Sequence, residues 1–258
     1  MTRRAIAQAD AWGALRRFTP ARIALGRSGP ALPTAEVLRF GLAHARARDA
    51  VHAALDGEAL AATLAAAGHP AGLVHSAAAD RTTYLGRPDL GRRLDGPSAA
   101  ALAAPGPSPE VLLVAADGLS AVAVERHFPP LLEALRALGP PWPGARAVVA
   151  LQARVALGDE IGERLGARLV VVAIGERPGL SSPDSLGLYL THSPRRGRAD
   201  AERNCVSNVR PEGLGYAEAA ARVDWLAREA LGRGFTGVAL QFKDPSAPVI
   251  GAGAPVKR

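Results

Sequence analysis

The feature that most restricts the fold of this chain is an unbroken apolar run, LVVVAI at residues 169–174, followed at once by a turn rich in glycine, proline and charge. Such a run predicts a strand buried on both faces, as in a parallel sheet. In open α/β sheets ligands bind beyond the carboxyl ends of the strands. Gly175, Glu176, Arg177 and Gly179 occupy that position here. The alternative is a tight turn whose Glu176 and Arg177 only face water.

The segments after residue 110 alternate between strand and helix patterns, and this order predicts the fold class. We expect a Rossmann-like three-layer α/β domain with a mostly parallel sheet, preceded by a smaller, mainly helical N-terminal domain. A proline pair at 129–130 is expected to kink or split the first helix. The expected strands are 111–115, 145–151, 169–174, 186–190 and 238–242, and the expected helices are 121–139, 155–165 and 216–231.

Composition and residue pattern divide the chain into three regions. Residues 1–104 are predicted to be helical or irregular, with helices at 5–18, 34–55 (Thr34 as N-cap) and 59–67, and a polar loop at 82–94 in which Arg87 and Asp89 can pair. An Ala, Gly, Pro and Ser-rich stretch at 95–109 predicts the boundary to a domain spanning 105–244. The basic stretch 192–215 is predicted to be a long functional loop, and 245–258 a disordered tail.

Composition and charge restrict the function classes. The net charge of +7 comes mainly from arginine, and the aromatic content of 4% argues against a base-stacking nucleic-acid surface. No apolar run approaches the roughly 20 residues that cross a bilayer, and the N-terminus lacks the apolar core of a signal peptide. A single cysteine excludes an intramolecular disulfide. We therefore expect a cytoplasmic protein that binds neither nucleic acid nor membrane.

The sequence lacks the residues needed for two common types of site, a metal site and a phosphate-binding loop. His44 and His52 share a helix face, but no third metal ligand lies nearby in the sequence, so we expect no metal site. The Gly-rich segment before residue 33 lacks the lysine and the preceding strand of a phosphate loop. A free-standing nucleotide or phosphate binder stays as the alternative function, although the first βα turn, DGLS at 117–120, holds one glycine and an acid.

Several stretches together resemble the small (light) subunit family of ethanolamine ammonia-lyase. The likeness covers nearly the whole chain in the expected order, and IGERPGL followed about 30 residues later by RNCVSN is its most specific part. The stretches are ARIALGRSG (21–29), LRFGLAHARARDAV (38–51), YLGRPDLGRRL (84–94), DGLSA (117–121), RVALGDEIGERLGARLVVVAIGERPGL (154–180), Ser193-Pro194 and DAERNCVSNVRPEG (200–213).

The resemblance implies an enzyme subunit that is active only with a partner. In this family the large subunit's barrel holds the substrate and the adenosyl side of adenosylcobalamin, and the small subunit's domain covers the lower side and its nucleotide loop. The complex converts ethanolamine to acetaldehyde and ammonia by a radical mechanism. The resemblance also implies a hetero-oligomer with equal copies of each subunit, and a bacterial microcompartment as an alternative location within the cytoplasm. No catalytic residue is expected in this chain.

By resemblance, the cobalamin contacts fall on Val155, Glu176 and Cys205. Val155 opens a predicted helix, Glu176 can accept hydrogen bonds from corrin amides, and Cys205 is expected to be a small contact rather than a nucleophile. None of the six histidines lies in the D-x-H-x-x-G pattern of other cobalamin modules, so we expect cobalamin to bind base-on. Four arginines flank the cysteine, and between the cofactor phosphate and the large subunit we favour the subunit as their contact: Arg195, Arg196, Arg198 and Arg203.

Overall fold

A computed structural model describes residues 7–102 and 107–242 of the chain. Within these ranges, six strands form one sheet in the order β1-β3-β2-β4-β5-β6. The pairs β1–β3, β2–β3 and β2–β4 are parallel, and β4–β5 and β5–β6 are antiparallel. The strands are β1 (Ala71–His75), β2 (Val111–Ala116), β3 (Arg146–Leu151), β4 (Leu169–Gly175), β5 (Leu186–His192) and β6 (Asn204–Val209).

Helices cover both faces of the sheet, which confirms the predicted α/β class. One core layer joins the sheet to α2, α5 and α7, and the other joins it to α4 and α6. The helices are α1 (Thr34–His52), α2 (Gly57–Ala66), α3 (Arg81–Gly86), α4 (Gly96–Ala101), α5 (Ala121–Arg136), α6 (Leu157–Arg164) and α7 (Tyr216–Arg233), with 3₁₀ turns at Gly13–Phe18, Leu90–Arg92 and Asp200–Glu202.

The central strand β4 explains the apolar run in the sequence. All seven of its residues are buried. Val171 and Ala173 belong to the core layer under α5 and α7, whereas Val170 and Val172 belong to the layer under α6. Because both faces are covered, no position on this strand meets water, and the prediction of a doubly buried strand is confirmed.

Both edges of the sheet differ from the sequence prediction. β1 lies in the region predicted to be helical or irregular, and β6 lies inside the predicted basic loop. Each edge strand is short and only partly buried, so neither produces a long apolar run. The predicted strand at 238–242 is wrong, because its backbone turns where the Asn204 side chain bonds Gly237 and Leu240.

Several helix boundaries also differ. Residues 13–18 form a 3₁₀ turn rather than the end of an α-helix, and Gln8 pairs with Arg27 in a β-bridge. Pro33, not Thr34, is the N-cap of α1. α5 continues through both prolines, so the expected split of this helix is wrong. The cost of proline within the helix is offset by apolar side chains that are buried against the core: Phe128, Leu131, Leu132 and Leu135.

The predicted domain boundary and the predicted tail fall mainly on undescribed residues. Residues 103–106 and 243–258 lie outside the described ranges, so the tail at 245–258 and the division between 1–104 and 105–244 stay predictions. Among the described helices, none has the length and apolarity needed to span a membrane.

A close backbone approach at the end of β4 gives a stability prediction. A Cβ at Gly175 would lie 2.0 Å from the Ser120 carbonyl oxygen, whereas a Cβ at Gly232, on α7, meets no atom within 4 Å. We expect Gly175→Ala to lower the free energy of unfolding by about 1–3 kcal/mol. Gly232→Ala, the control, should leave it unchanged or raise it by about 0.5–1 kcal/mol. Denaturant unfolding of the full chain measures both, and equal midpoints for the two variants would contradict the close approach.

Candidate functional site

The carboxyl ends of β2, β3 and β4 open into a cleft of about 740 Å³, here called the Glu176 cleft. The turn after β4, the first turn after β2 and the loop between β3 and α6 supply most of its walls. The cleft is lined by Pro20, Tyr84, Gly118, Leu119, Arg154, Val155, Ile174, Gly175, Glu176, Arg177, Ser181, Ser182, Ser185, Tyr189, Asn208 and Arg210. It lies where ligands bind in open α/β sheets.

The structure brings Val155 and Glu176 together as walls of this one cleft. The sequence predicted that Val155 opens a helix, but it lies in the turn just before α6. Glu176 is partly buried, and its Oε2 accepts a hydrogen bond from the Asn208 backbone N–H at 3.2 Å. Its Oε1 accepts no hydrogen bond from the described residues. Glu176 therefore does not simply face water, whereas its neighbour Arg177 is exposed.

Cys205 lies beside the cleft rather than in its wall. It is opposite Tyr189 in the β5–β6 pairing, and Tyr189 lines the cleft. Although the residue is exposed as a whole, desolvation around the sulfur raises the pKa of the Cys205 thiol. A raised pKa keeps the thiol protonated at neutral pH, which argues against a nucleophile. Because Cys205 is exposed, it is not a buried structural cysteine either.

The loop that carries Val155 is held by a buried carboxylate at the end of β2. Asp117 accepts hydrogen bonds from the backbone N–H groups of Gln152 at 2.8 Å and Ala153 at 2.9 Å. Burial raises the pKa of Asp117, and these two hydrogen bonds and the nearby Arg81 act in the opposite direction. Gly118 follows with a φ of 57°, and a Cβ there would collide with the Gly175 carbonyl. The DGLS turn is therefore a support for the neighbouring loop, which disfavours the free-standing phosphate binder.

Tyr84, on α3, supports the same loop from the other side. Its hydroxyl donates to the Ala153 carbonyl at 3.1 Å, and its ring is flanked by the guanidinium groups of Arg81 and Arg154, 4.8 and 4.3 Å from the ring centroid. Burial raises the pKa of Tyr84 to about 12, so its hydroxyl stays a donor. The stretch predicted as a polar loop at 82–94 thus contributes Tyr84 to the site.

Three carboxylates of α6 hold the loops around a second cleft. Asp159 forms a bidentate ion pair with the buried Arg203 (2.6 and 2.7 Å). Glu160 accepts from the Leu94 backbone N–H at 3.0 Å, and Glu163 accepts from the Arg196 N–H at 3.0 Å. Burial raises the pKa of Asp159, and its hydrogen bonds to Arg203 oppose that shift.

The second cleft, here called the basic cleft, has a volume of about 590 Å³. It shares Arg154 and Val155 with the Glu176 cleft, so the two openings are adjacent. Sequence reasoning missed this cleft because its walls come from three segments that are distant in sequence, at 88–93, 154–156 and 196–203. It is lined by Pro88, Asp89, Arg92, Arg93, Arg154, Val155, Ala156, Arg196, Gly197, Arg198, Ala199, Asp200 and Arg203.

Two further expectations from the sequence concern an ion pair and a metal site. Arg87 and Asp89 form the expected ion pair at 2.8 Å on the surface, where such pairs contribute little stability. Within residues 7–102 and 107–242, no group of three or more His, Cys, Asp or Glu side chains could hold a metal ion.

The loop-holding role of Asp117 can be measured. Asp117→Ala leaves the partly buried N–H of Gln152 and the buried N–H of Ala153 without an acceptor, so we expect the free energy of unfolding to fall by about 1–3 kcal/mol. Asp117→Asn keeps one acceptor oxygen and should lose less. Asp89→Ala removes a carboxylate from an exposed pair and should change the unfolding midpoint too little to measure. If Asp117→Ala unfolds at the same denaturant concentration as the wild type, Asp117 does not hold the loop.

Comparison with known proteins identifies the family. The family model "Ethanolamine ammonia-lyase light chain" matches residues 9–241. The ethanolamine ammonia-lyase small subunit of Ralstonia nicotianae is 58% identical over 251 residues, which cover 94% of this chain and 92% of that protein. The small subunit of Xanthomonas campestris is 55% identical over 249 residues (94% and 91%), and that of Azotobacter vinelandii is 53% identical over 260 residues (98% and 96%).

These matches confirm the resemblance found in the motifs, and they extend through the loops that line both clefts as well as through the sheet. Since the family match and the identities cover nearly the whole length, the chain belongs to the ethanolamine ammonia-lyase small-subunit family.

Proposed function

We propose that this chain covers the lower face of base-on adenosylcobalamin in an ethanolamine ammonia-lyase, and that it is inactive without the large subunit. The observation that carries the proposal is the Glu176 cleft. It lies at the carboxyl ends of the parallel strands, and it contains both Val155 and Glu176. The third expected contact, Cys205, lies opposite Tyr189, a residue of the cleft wall, in the β5–β6 pairing.

The chemistry of the cleft fits a corrinoid. A corrin ring carries neutral amide side chains, which need hydrogen-bond acceptors and donors beside an apolar surface. Glu176 Oε1 is an unused acceptor, three serines offer hydroxyls, and Ile174 and Val155 supply apolar contact. No histidine lines either cleft among the described residues, which agrees with base-on binding. A cleft of 740 Å³ open to solvent suits part of a large cofactor, with the rest facing a partner.

The roles of the two subunits then differ. When bound, adenosylcobalamin supplies the radical that starts the conversion of ethanolamine to acetaldehyde and ammonia. The residues of this chain bind and orient the cofactor and cover its lower side. The buried supports of the Val155 loop, Asp117 and Tyr84, keep that surface in place before the cofactor binds, which lowers the entropic cost of binding.

The N-terminal region offers a surface for the large subunit. α1 buries only Ala50, and many large apolar side chains of this region are exposed. Exposed apolar surface of this kind is typical of a protein interface. We propose that this surface contacts the large subunit in a hetero-oligomer with equal copies of both chains. The exposed side chains are Trp12, Leu15, Phe18, Leu32, Val37, Leu38, Phe40 and Leu42.

Reconstitution tests the subunit function. Neither subunit alone should release acetaldehyde from ethanolamine, and mixing this chain with the large subunit and adenosylcobalamin should restore the release. Acetaldehyde is measured with a coupled dehydrogenase, and omission of adenosylcobalamin from the mixture is the control. Equal activity of the large subunit without this chain would remove the proposal.

Cofactor affinity tests the site. In the assembled complex, Glu176→Ala removes a charged acceptor, so we expect adenosylcobalamin binding to weaken by about 1.5–3 kcal/mol, or about 10- to 150-fold in Kd. Glu176→Gln keeps one acceptor oxygen and should lose less. Glu133→Ala, an exposed carboxylate on α5, is the matched control and should leave Kd unchanged. Absorbance titration gives Kd, and an unchanged affinity for Glu176→Ala would place the site elsewhere.

A further inference from the structure

Helix α1 is attached to the rest of the domain at its last turn. Residues 34–49 of this helix are exposed or half-buried, and Ala50 is its one buried residue. The carbonyl of Val51, in the same turn, accepts a hydrogen bond from Arg81 Nε at 2.6 Å. A guanidinium at the C-terminal end of a helix also meets the negative end of the helix dipole. Arg81, on α3, therefore helps to fix the position of α1 on the domain.

The same guanidinium reaches two turns that form walls of the Glu176 cleft. Arg81 Nη1 donates to the Gly118 carbonyl at 2.8 Å and lies 3.4 Å from Gln152 Oε1, which also accepts from it. Gly118 follows β2 and lines the cleft, and Gln152 follows β3 in the loop that carries Val155. One side chain thus joins α1 to both turns, while Arg81 itself lies outside the walls of both clefts.

The loop after β3 has a backbone conformation that needs external support. Gln152 has a φ of 50°, in the left-handed region that residues other than glycine seldom adopt. Such a conformation costs free energy and persists only where the surroundings fix it. Asp117 accepts the Gln152 N–H at 2.8 Å, Arg81 donates to the Gln152 side chain, and these two supporting groups lie 3.8 Å apart as an ion pair. Loss of the guanidinium would therefore release the loop that carries Val155.

Arg81 is not fully paired in the surroundings that it bridges. Its side chain is 15% exposed, and its Nη2 is buried and forms no hydrogen bond with any residue in 7–102 or 107–242. A buried charge with an unsatisfied donor lowers stability. Stability alone is therefore a poor explanation for this arginine, whereas a role in holding separate segments in a fixed relation agrees with its contacts.

Resting on the proposed function, we propose that Arg81 is a positioning residue that couples docking of the large subunit on α1 to the shape of the Glu176 cleft. A partner that fixes α1 also fixes its last turn, which holds the guanidinium, and the guanidinium holds Gly118 and the loop after β3. Because coupling between two binding events is reciprocal, cofactor binding also strengthens docking of the partner. The apolar side chains that α1 exposes to the partner are Val37, Leu38, Phe40 and Leu42.

A double-mutant cycle in the assembled complex tests this coupling. Leu38→Ala, on the exposed part of α1, should raise the Kd of adenosylcobalamin by about 3- to 10-fold when Arg81 is present. In the Arg81→Met background, Leu38→Ala should change this Kd by less than about 1.5-fold, because α1 no longer contacts the two turns through the guanidinium.

Arg87→Met is the matched control for the cycle. Arg87 is the C-cap of the same helix α3, its side chain is 62% exposed, and it pairs with Asp89 on the surface. In the Arg87→Met background, Leu38→Ala should keep its full effect on the Kd of adenosylcobalamin.

Arg81→Lys separates bridging from charge. Lysine keeps a positive charge beside Asp117, but its single nitrogen cannot bind Val51 and Gly118 as the planar guanidinium does. We expect Arg81→Lys to behave like Arg81→Met in the cycle, and full rescue by lysine would overturn the bridging role. Since lysine keeps most of the buried stem, this variant also replaces Arg81→Met if the methionine variant does not fold.

Absorbance titration with adenosylcobalamin gives each Kd, at concentrations where gel filtration shows one assembled complex. Equal effects of Leu38→Ala in the wild-type and Arg81→Met backgrounds would show that α1 and the cleft are independent, and would overturn the proposal. An unchanged Kd for both Leu38→Ala and Leu42→Ala in the wild-type background would also overturn it. Failure of the proposed function is distinct, since the wild-type complex would then bind no adenosylcobalamin.

Discussion

Burial of β4 on both faces is the constraint on which the rest of the structure depends. A strand that meets no water needs a helical layer on each side, and β2, its parallel neighbour, is buried in the same way. Their carboxyl ends therefore finish side by side. The glycines after these strands, Gly118 and Gly175, allow the two backbones to approach where a side chain would collide. The Glu176 cleft opens at this point because the chain turns from each strand into the following loop without covering the edge of the sheet.

Buried carboxylates hold the loops at this edge of the sheet in fixed positions. Asp117 uses both oxygens on the backbone of the Val155 loop, and Asp159 uses both on Arg203. A buried charge is costly unless it is paired, so these groups hold their partners in defined positions. The function we propose for this family member needs such a surface, because a subunit that covers a cofactor contributes shape and hydrogen-bond partners rather than reacting groups.

Prediction from sequence was correct for those elements whose hydrophobic pattern arises from neighbouring residues in the chain. The central strands, α2, α7 and the position of Glu176 at the end of β4 all follow from periodicity and burial. The edge strands were missed because β1 and β6 are stabilised by pairing with a neighbour, and their residues are only partly apolar. Arg203 was expected, with its neighbouring arginines, to contact the large subunit because of its charge. It is buried, since Asp159, 44 residues away in sequence, neutralises it.

The sequence alone determined the α/β class, the doubly buried strand and the family, because these depend on local patterns and on motifs that stay in order along the chain. Only the tertiary structure decided which residues share a cleft. Val155 and Glu176 come from different strand ends, and the basic cleft joins loops near residues 92 and 196. Such contacts depend on sheet order and on buried pairs between distant segments, and no local pattern of residues encodes the distance between two loops.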